Sequence, residues 1–330
     1  MRPSPPKILS LAETSGFLVT NLTNIRYLSG VEVSAGLLLV VQGRFFLFVD
    51  GRYIEAAKEH AAGNVSLRPL EECMKMLRKM RRCGLEENNV TLGQLRRLKA
   101  KNKNTKFIQK SDIIETFRRR KDAIELRHFR RAQRITRELL RRVPAAVRRE
   151  TTERQLAHQL LTWAVELGAD GLAFEPIVAF GTHTSRPHHH PTDRKLKRGH
   201  IIQIDVGARF RGYCADQSRV FFTAPPTAEQ KVILAVLEKA KRAATLAVKA
   251  GASVRAPDEA ARAVLRQARL EQYFTHAVGH GVGLEIHEGV SLSQKAPEQK
   301  LLRGEIVTIE PGIYLPGKFG MRIEDEVIVK

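Results

Sequence analysis

HAVGHGVGLEIHEG, residues 276–289, places three histidines and two glutamates in fourteen positions. His276 and His280 share the i, i+4 interval that puts two metal ligands on one helix face. Gly279, Gly281 and Gly283 make a helix costly here. Val282, Leu284 and Ile286 alternate as in a strand. The segment therefore reads as a glycine-rich strand, and the question is what converges on His280.

Three other segments interrupt a core-like apolar pattern with an acid. IIQIDVGARFRGYCADQSRVFF (201–222) puts Asp205 at the end of one strand and Asp216 inside a second, with Gly207 and Gly212 suited to a hairpin between them. EIVTIEPGIY (305–314) places Glu310 after a strand and before a Pro-Gly turn, and MRIEDEVIVK (321–330) places Glu324 within a strand. Singly, each acid fits a turn or an Arg/Lys partner. Gathered, four carboxylates and one imidazole repel strongly unless cations lie among them. An oxygen-rich set with one nitrogen favours Mn2+ or a similar ion over a thiolate-type zinc site.

The chain has 330 residues, enough for two domains. The hydrophobic fraction of 43% supports a sizeable core. Lys and Arg number 56 against 35 Asp and Glu, a net charge of +21. That charge is assigned to solvated helix faces rather than to nucleic acid, because no nucleic-acid fold motif accompanies it. Leu37–Val41 and Phe45–Val49, the longest apolar runs, fall far short of the roughly 20 residues that span a membrane. Three cysteines without a pairing pattern, and an N-terminus without a secretion signal, point to the cytoplasm.

Residues 34–53 read as a hairpin turning at Gln42-Gly43, followed by helices over Ile54–Ala62 and Glu71–Arg82 and a strand–helix–strand alternation up to Phe107. From Arg118 to Arg142 an arginine-rich amphipathic helix, apolar at Ile124, Phe129, Ala132, Ile135, Leu139 and Val143, reads as a link between domains. Capping boxes at Thr152/Gln155 and Thr227/Gln230 open two further helices. The second domain thus runs helices then strands twice, which suggests two related α+β halves.

Asp205, Asp216, VGHGVGLEIHE, TIEPGIY and RIED together resemble the creatinase/methionine-aminopeptidase ("pita-bread") superfamily, most closely its Xaa-Pro aminopeptidase and prolidase branch. NLTNIRYLSG, SAG and VDGRY (21–53) resemble that branch's N-terminal domain. The resemblance implies an α+β chain: a small α/β creatinase-like domain over 1–117, then a pita-bread metallopeptidase domain over 118–330. It implies two divalent ions, Mn2+ first, with Co2+ and Zn2+ as alternatives. Asp205 would bind one ion, Asp216 and Glu324 would bridge both, and His280 and Glu310 would complete the second. A bridging hydroxide would be the nucleophile and Glu310 the general base. His287 would stabilise the tetrahedral intermediate. His188, chosen over His183, His189 and His190 because Pro187-His188 matches the family, would meet the substrate, while His276 and Arg322 would line the prolyl pocket.

The implied activity is removal of a residue preceding proline by a cytoplasmic homodimer, with peptides bearing proline second as substrates. A dipeptide-only prolidase is the first rival, since it uses the same ligands. A methionine aminopeptidase fits less well because of the large N-terminal domain. A non-catalytic nucleic-acid- or peptide-binding protein on the same fold is the remote third. The chain departs from the family in FGTHTSR before His188, in ending at Lys330 six residues after Glu324, and in the arginine-rich helix.

Overall fold

A computed structural model describes residues 2–330, which divide into two compact units, Met1–Arg118 and Arg119–Lys330. The first is a six-stranded sheet in the order β4-β3-β2-β1-β5-β6. Its strands are β1 (Gly16–Val19), β2 (Leu37–Val41), β3 (Arg44–Val49), β4 (Val65–Pro69), β5 (Arg82–Glu86) and β6 (Lys106–Lys110). Helices α1 (Pro5–Ala12), α2 (Leu22–Ser29), α3 (Ile54–His60), α4 (Glu72–Leu77), α5 (Leu92–Lys101) and α6 (Ile113–Arg118) connect them. The expected hairpin is present: β2 and β3 pair antiparallel, and Gly43 takes the positive φ of 82° that their tight turn requires.

The helix expected to run to Arg82 stops at Leu77. Cys83 and Leu85 are needed in β5, between β1 and β6, where they pack with Leu18, Leu39 and Phe48. The NLTN stretch is a helix start. Asn21 caps α2 by accepting from Thr23 and Asn24, and the buried Glu86 carboxylate accepts from the Thr20 and Asn21 amides.

The second unit opens with α7 (Ala123–Ala146) and α8 (Glu153–Glu166), followed by β7 (Gly171–Leu172), β8 (Ile177–Phe180), β9 (Ile201–Val206), β10 (Ala208–Phe210), β11 (Tyr213–Cys214) and β12 (Gln217–Phe222). Then come α9 (Ala228–Ala247), α10 (Ala256–Gln267), β13 (Gly279–His280), β14 (Ser291–Leu292), β15 (Ile306–Ile309), β16 (Gly312–Leu315), β17 (Phe319–Arg322) and β18 (Asp325–Ile328). Both expected capping boxes form, at Thr152 and Thr227. Each half has its own core. Ile135, Leu139 and Val143 of α7 pack with α8, β8 and β9, whereas Leu237, Ala240 and Ala244 of α9 pack with α10 and the later strands.

Two expectations are corrected. Helix α7 is not a free link, because its apolar stripe is built into the second unit; of that stripe only Ile124, in the first turn, is exposed. The segment after His280 is not a strand. Beyond β13 the chain folds back on itself, so the Glu288 amide bonds the Gly281 carbonyl and the Cys214 amide bonds the Gly283 carbonyl. The Glu288 carboxylate, tucked beneath the fold-back, meets Lys121 at 2.8 Å with both side chains buried.

The glycines of this segment are there for close approach. A Cβ added at Gly279 would fall 1.9 Å from the Thr308 carbonyl oxygen, and one at Gly281 would fall 1.9 Å from that of Glu288. The Thr308 carbonyl belongs to β15 and cannot step aside without disturbing its pairing with β18, and the Glu288 carbonyl belongs to the fold-back held to Gly281. Gly279→Ala is expected to destabilise the second unit by about 3 kcal/mol, read as a lower denaturant midpoint; an unchanged midpoint would refute the close-approach account.

Candidate metal centre

Antiparallel pairing assembles the acids. In the β9–β12 register Ser218 faces Asp205, and Asp216 sits one residue before β12 rather than inside it. β15 and β18 pair so that Ile309 faces Asp325, which leaves Glu310 and Glu324 just outside the paired residues, side by side. Glu324 therefore lies in the two-residue link between β17 and β18, not within a strand. The last strand is held on the sheet by reciprocal bonds between Val329 and the Gly304 and Glu305 backbone. His280 ends β13, and its amide donates to the Thr308 hydroxyl.

These residues surround a cleft of about 430 Å³. Asp205, Asp216, His188, His276, His280, His287, Glu310 and Arg322 all line it. Glu324, 1% exposed, lies beneath, and one ligand atom from each of Asp216, His280 and Glu324 falls within 4.8 Å of the others. All nine residues singled out in the sequence thus meet in one place.

The electrostatics of the cluster are unfavourable without a cation. Burial, then repulsion from Asp205 and Glu310, raises the Asp216 carboxyl well above the usual range. Burial, then Asp216 and Glu310, does the same to Glu324. Glu310 is raised by burial, against the pull of His280 and Arg322. Three buried carboxylate oxygens, Asp205 Oδ1, Asp216 Oδ1 and Glu324 Oε1, have no hydrogen-bond donor among the described residues. His280 Nδ1 lies 3.1 Å from the Gly281 carbonyl, which can only accept, so Nδ1 is the donor and Nε2 is the nitrogen turned to the acids. That Nε2 stands 3.5 Å from Asp216 and 3.6 Å from Glu310. Unpartnered oxygens and an aimed imidazole nitrogen are the donor set a divalent ion requires.

Around the acids is a scaffold the sequence did not reveal. Arg322, 3% exposed, donates to Asp205 Oδ2 at 2.5 Å, to the Ser218 hydroxyl at 2.9 Å and to the Tyr314 hydroxyl at 2.8 Å. Tyr314 in turn lies 2.9 Å from His276 Nε2. With Nδ1 of His276 on the Ala277 carbonyl, the direction is fixed: Arg322 donates to Tyr314, and Tyr314 donates to a neutral His276, whose pKa burial lowers to about 3. Gln203 grips the Arg322 backbone on both sides. Glu326 accepts from the Asp216 amide, and Asp258 accepts from the Val278 and Gln294 amides on either side of the histidine strand. Tyr314 sat in the quoted EPGIY motif, but nothing in its spacing signalled this link.

The segment carrying His188 is tied down by Glu153, the first residue of α8, which is fully buried. One carboxylate oxygen takes the Phe180 amide and His183 Nδ1, and the other takes His189 Nε2 and the Thr192 amide and hydroxyl. Glu153, His183 and His189 could formally hold an ion, but this carboxylate is already saturated with donors. His183 and His189 are thereby committed to structure, and the His190 side chain is 82% exposed.

An acid-lined centre beneath a cleft, on paired antiparallel strands behind two helix pairs, defines a metal-binding hydrolase site. Residues 127–330 match the metallopeptidase family M24 model, and residues 7–120 match the Creatinase/Prolidase N-terminal domain. The chain belongs to metallopeptidase family M24, whose members use a dinuclear divalent metal centre. It is 30% identical over 314 residues to an Xaa-Pro dipeptidase of Pyrococcus horikoshii, spanning 94% of this chain and 89% of that protein. Among solved structures, an Xaa-Pro dipeptidase from Bacillus anthracis superposes with a TM-score of 0.94 at 29% identity, over 99% of this chain and 94% of that one. An X-Pro aminopeptidase from Thermotoga maritima gives 0.90 at 32% identity, over 98% and 95%. No helix among the described residues is long and apolar enough to cross a membrane.

The raised carboxyls have a thermodynamic consequence. Protonated in the fold, they contribute stability below their unfolded pKa of about 4 and lose it as pH rises through the raised folded values. Metal-stripped protein is therefore expected to melt at a lower temperature at pH 8 than at pH 5.5. Added Mn2+ should raise the midpoint more at pH 8, where the ligands shed fewer protons to bind. A metal-free midpoint that climbs with pH across this window would contradict the assignment. Glu153→Leu, which orphans two buried amides, should cost about 3 kcal/mol in equilibrium unfolding; a loss under about 1 kcal/mol would contradict the role given to this carboxylate.

Proposed function

We propose that this protein is an Xaa-Pro aminopeptidase, hydrolysing the bond between an N-terminal residue and proline. The observation that carries the reading is the meeting, in one cleft, of a cation-demanding acid cluster with the polarised Arg322–Tyr314–His276 chain. Asp205, Asp216, His280, Glu310 and Glu324 would hold two divalent ions, with Mn2+ the first candidate. When bound, the ions supply Lewis acidity and a water acidic enough to attack at neutral pH.

The remaining chemistry belongs to the chain. Glu310, its carboxyl raised by burial and facing the cleft, would take the proton from the attacking water. It would then deliver that proton to the leaving nitrogen as the C–N bond breaks. Proline's imide nitrogen carries no hydrogen and sits in a ring, so the leaving group is hindered and depends on a placed acid. His287, exposed to the cleft with its ring centroid 4.3 Å from that of His280, and His188 on the same cleft are suited to donate to the oxyanion. His276, neutral and oriented by Tyr314, would shape the prolyl pocket with Arg322. A homodimer is the expected assembly, testable by sedimentation.

An Xaa-Pro dipeptidase, the activity named for the Pyrococcus horikoshii and Bacillus anthracis relatives, is the second reading. Mn2+-reconstituted protein should release the first residue from Xaa-Pro-Xaa tripeptides. Cleavage confined to Xaa-Pro dipeptides would make it the dipeptidase. Glu310→Gln is expected to lower kcat on the accepted substrate by about 10²–10⁴-fold; near-normal turnover in that variant would refute the assigned base.

A further inference from the structure

The arginine-rich face of α7 plays no part in the chemistry above. Arg127, Arg130, Arg134, Arg137 and Arg141 are exposed and follow one another at alternating spacings of three and four, a single stripe along the helix. Arg141 is bound to Glu138. The other four have no carboxylate partner among the described residues. The same spacing continues to Pro144, so from Arg127 to Pro144 the stripe covers about 25 Å at the helical rise. Periodicity alone leaves such a stripe a solvated face.

What changes the reading is the cavity at its end. Pro144 is also part of the wall of a 660 Å³ pocket lined by Arg148, Arg149, Lys197 and Arg198, by the half-buried Phe221, whose side chain shares the α7 side of β12 with Ile202 and Leu196, and by no acidic residue. Glu150, which follows Arg149 in the chain, is occupied by Lys195 at 2.9 Å. A cationic track that leads into a basic pocket with an aromatic side chain in its wall suits a single-stranded polynucleotide: point charges for successive phosphates, then Phe221, against which a base can stack. A duplex would gain from the stripe but could not present an unpaired base to Phe221.

We propose that the α7 stripe and this pocket form a binding surface for single-stranded nucleic acid. It involves no residue assigned to the metal centre or the substrate cleft, so it stands or falls independently of the peptidase reading. The stripe sets affinity through charge, and the pocket sets the preference for strands with free bases.

The test uses the full-length protein and a fluorescent twelve-nucleotide oligouridine RNA, titrated across a salt series. Arg130→Gln/Arg134→Gln/Arg137→Gln removes three phosphate contacts, and the slope of log K against log salt should flatten by about 2. Arg149→Gln/Arg198→Gln, at two exposed residues of the pocket, should weaken binding as well, while both variants keep wild-type melting temperature and peptidase activity. RNA should outcompete inorganic polyphosphate of equal length by about tenfold or more, the contribution of base stacking. An unchanged salt slope in the triple variant would overturn the proposal. So would equal competition by polyphosphate, or equal affinity for duplex DNA or for phosphatidylserine vesicles, each of which would reduce the stripe to a general polyanion surface.

Discussion

The second unit is organised around a repulsion. Asp205, Asp216, Glu310 and Glu324 come from two separate strand pairs, and the fold holds them close enough that burial and mutual charge raise three of their carboxyls. No fold would gather them for stability, since isolated buried charges cost several kcal/mol each. The arrangement makes sense only if divalent charge returns what the acids lose. Arg322 offsets part of the deficit, but it does so by occupying one oxygen of Asp205, and Asp205 Oδ1, Asp216 Oδ1 and Glu324 Oε1 stay without donors. The chain supplies one cation and leaves the rest of the compensation to metal.

That constraint explains why the surroundings are so heavily hydrogen-bonded. A cluster under electrostatic strain relaxes unless its backbone is fixed, and four segments around it are each fixed by a buried polar group. Glu326 holds the Asp216 amide, Gln203 clamps Arg322, Asp258 anchors the strand before His280, and Glu153 ties the segment carrying His188. These residues do not meet the cleft's contents directly. They determine where the groups that do so can sit.

Asp205, Glu310 and His280 stood out as candidates because each breaks a local rule: an acid ending IIQI, an acid before Pro-Gly, a histidine between glycines. Local rules also gave the hairpin at Gly43 and the capping boxes at Thr152 and Thr227, where turn and cap chemistry act within a few residues. Glu153 shows the limit. In sequence it is an ordinary first-turn acid beside a capping box, and its partners lie 27 to 39 residues away. Tyr314 resembles any strand tyrosine until β16 pairs with β17 and sets it beside Arg322. The fold-back after His280 was hidden for a similar reason. Val282, Leu284 and Ile286 alternate as a strand does, yet the Lys121–Glu288 pair and the close approach of Thr308 to Gly279 come from residues distant in the chain. Periodicity records which side chains are buried, not what they are buried against.

The α7 helix separates these two kinds of information within one element. Its buried stripe was readable and proved nearly right, because burial against α8 and β9 needs only apolar residues at the right interval. Its exposed stripe was equally readable as a pattern but empty of meaning, since charge at helical spacing is compatible with bulk water as its only partner. Meaning depends on what lies at the end of the stripe, and Lys197, Arg198, Phe221 and Phe222 reach that place through strands and loops some fifty or more residues further along the chain. The acid cluster demands a cation through the energy of its own burial, whereas the arginine stripe demands nothing, so only the shape and composition of its neighbour can argue for a ligand.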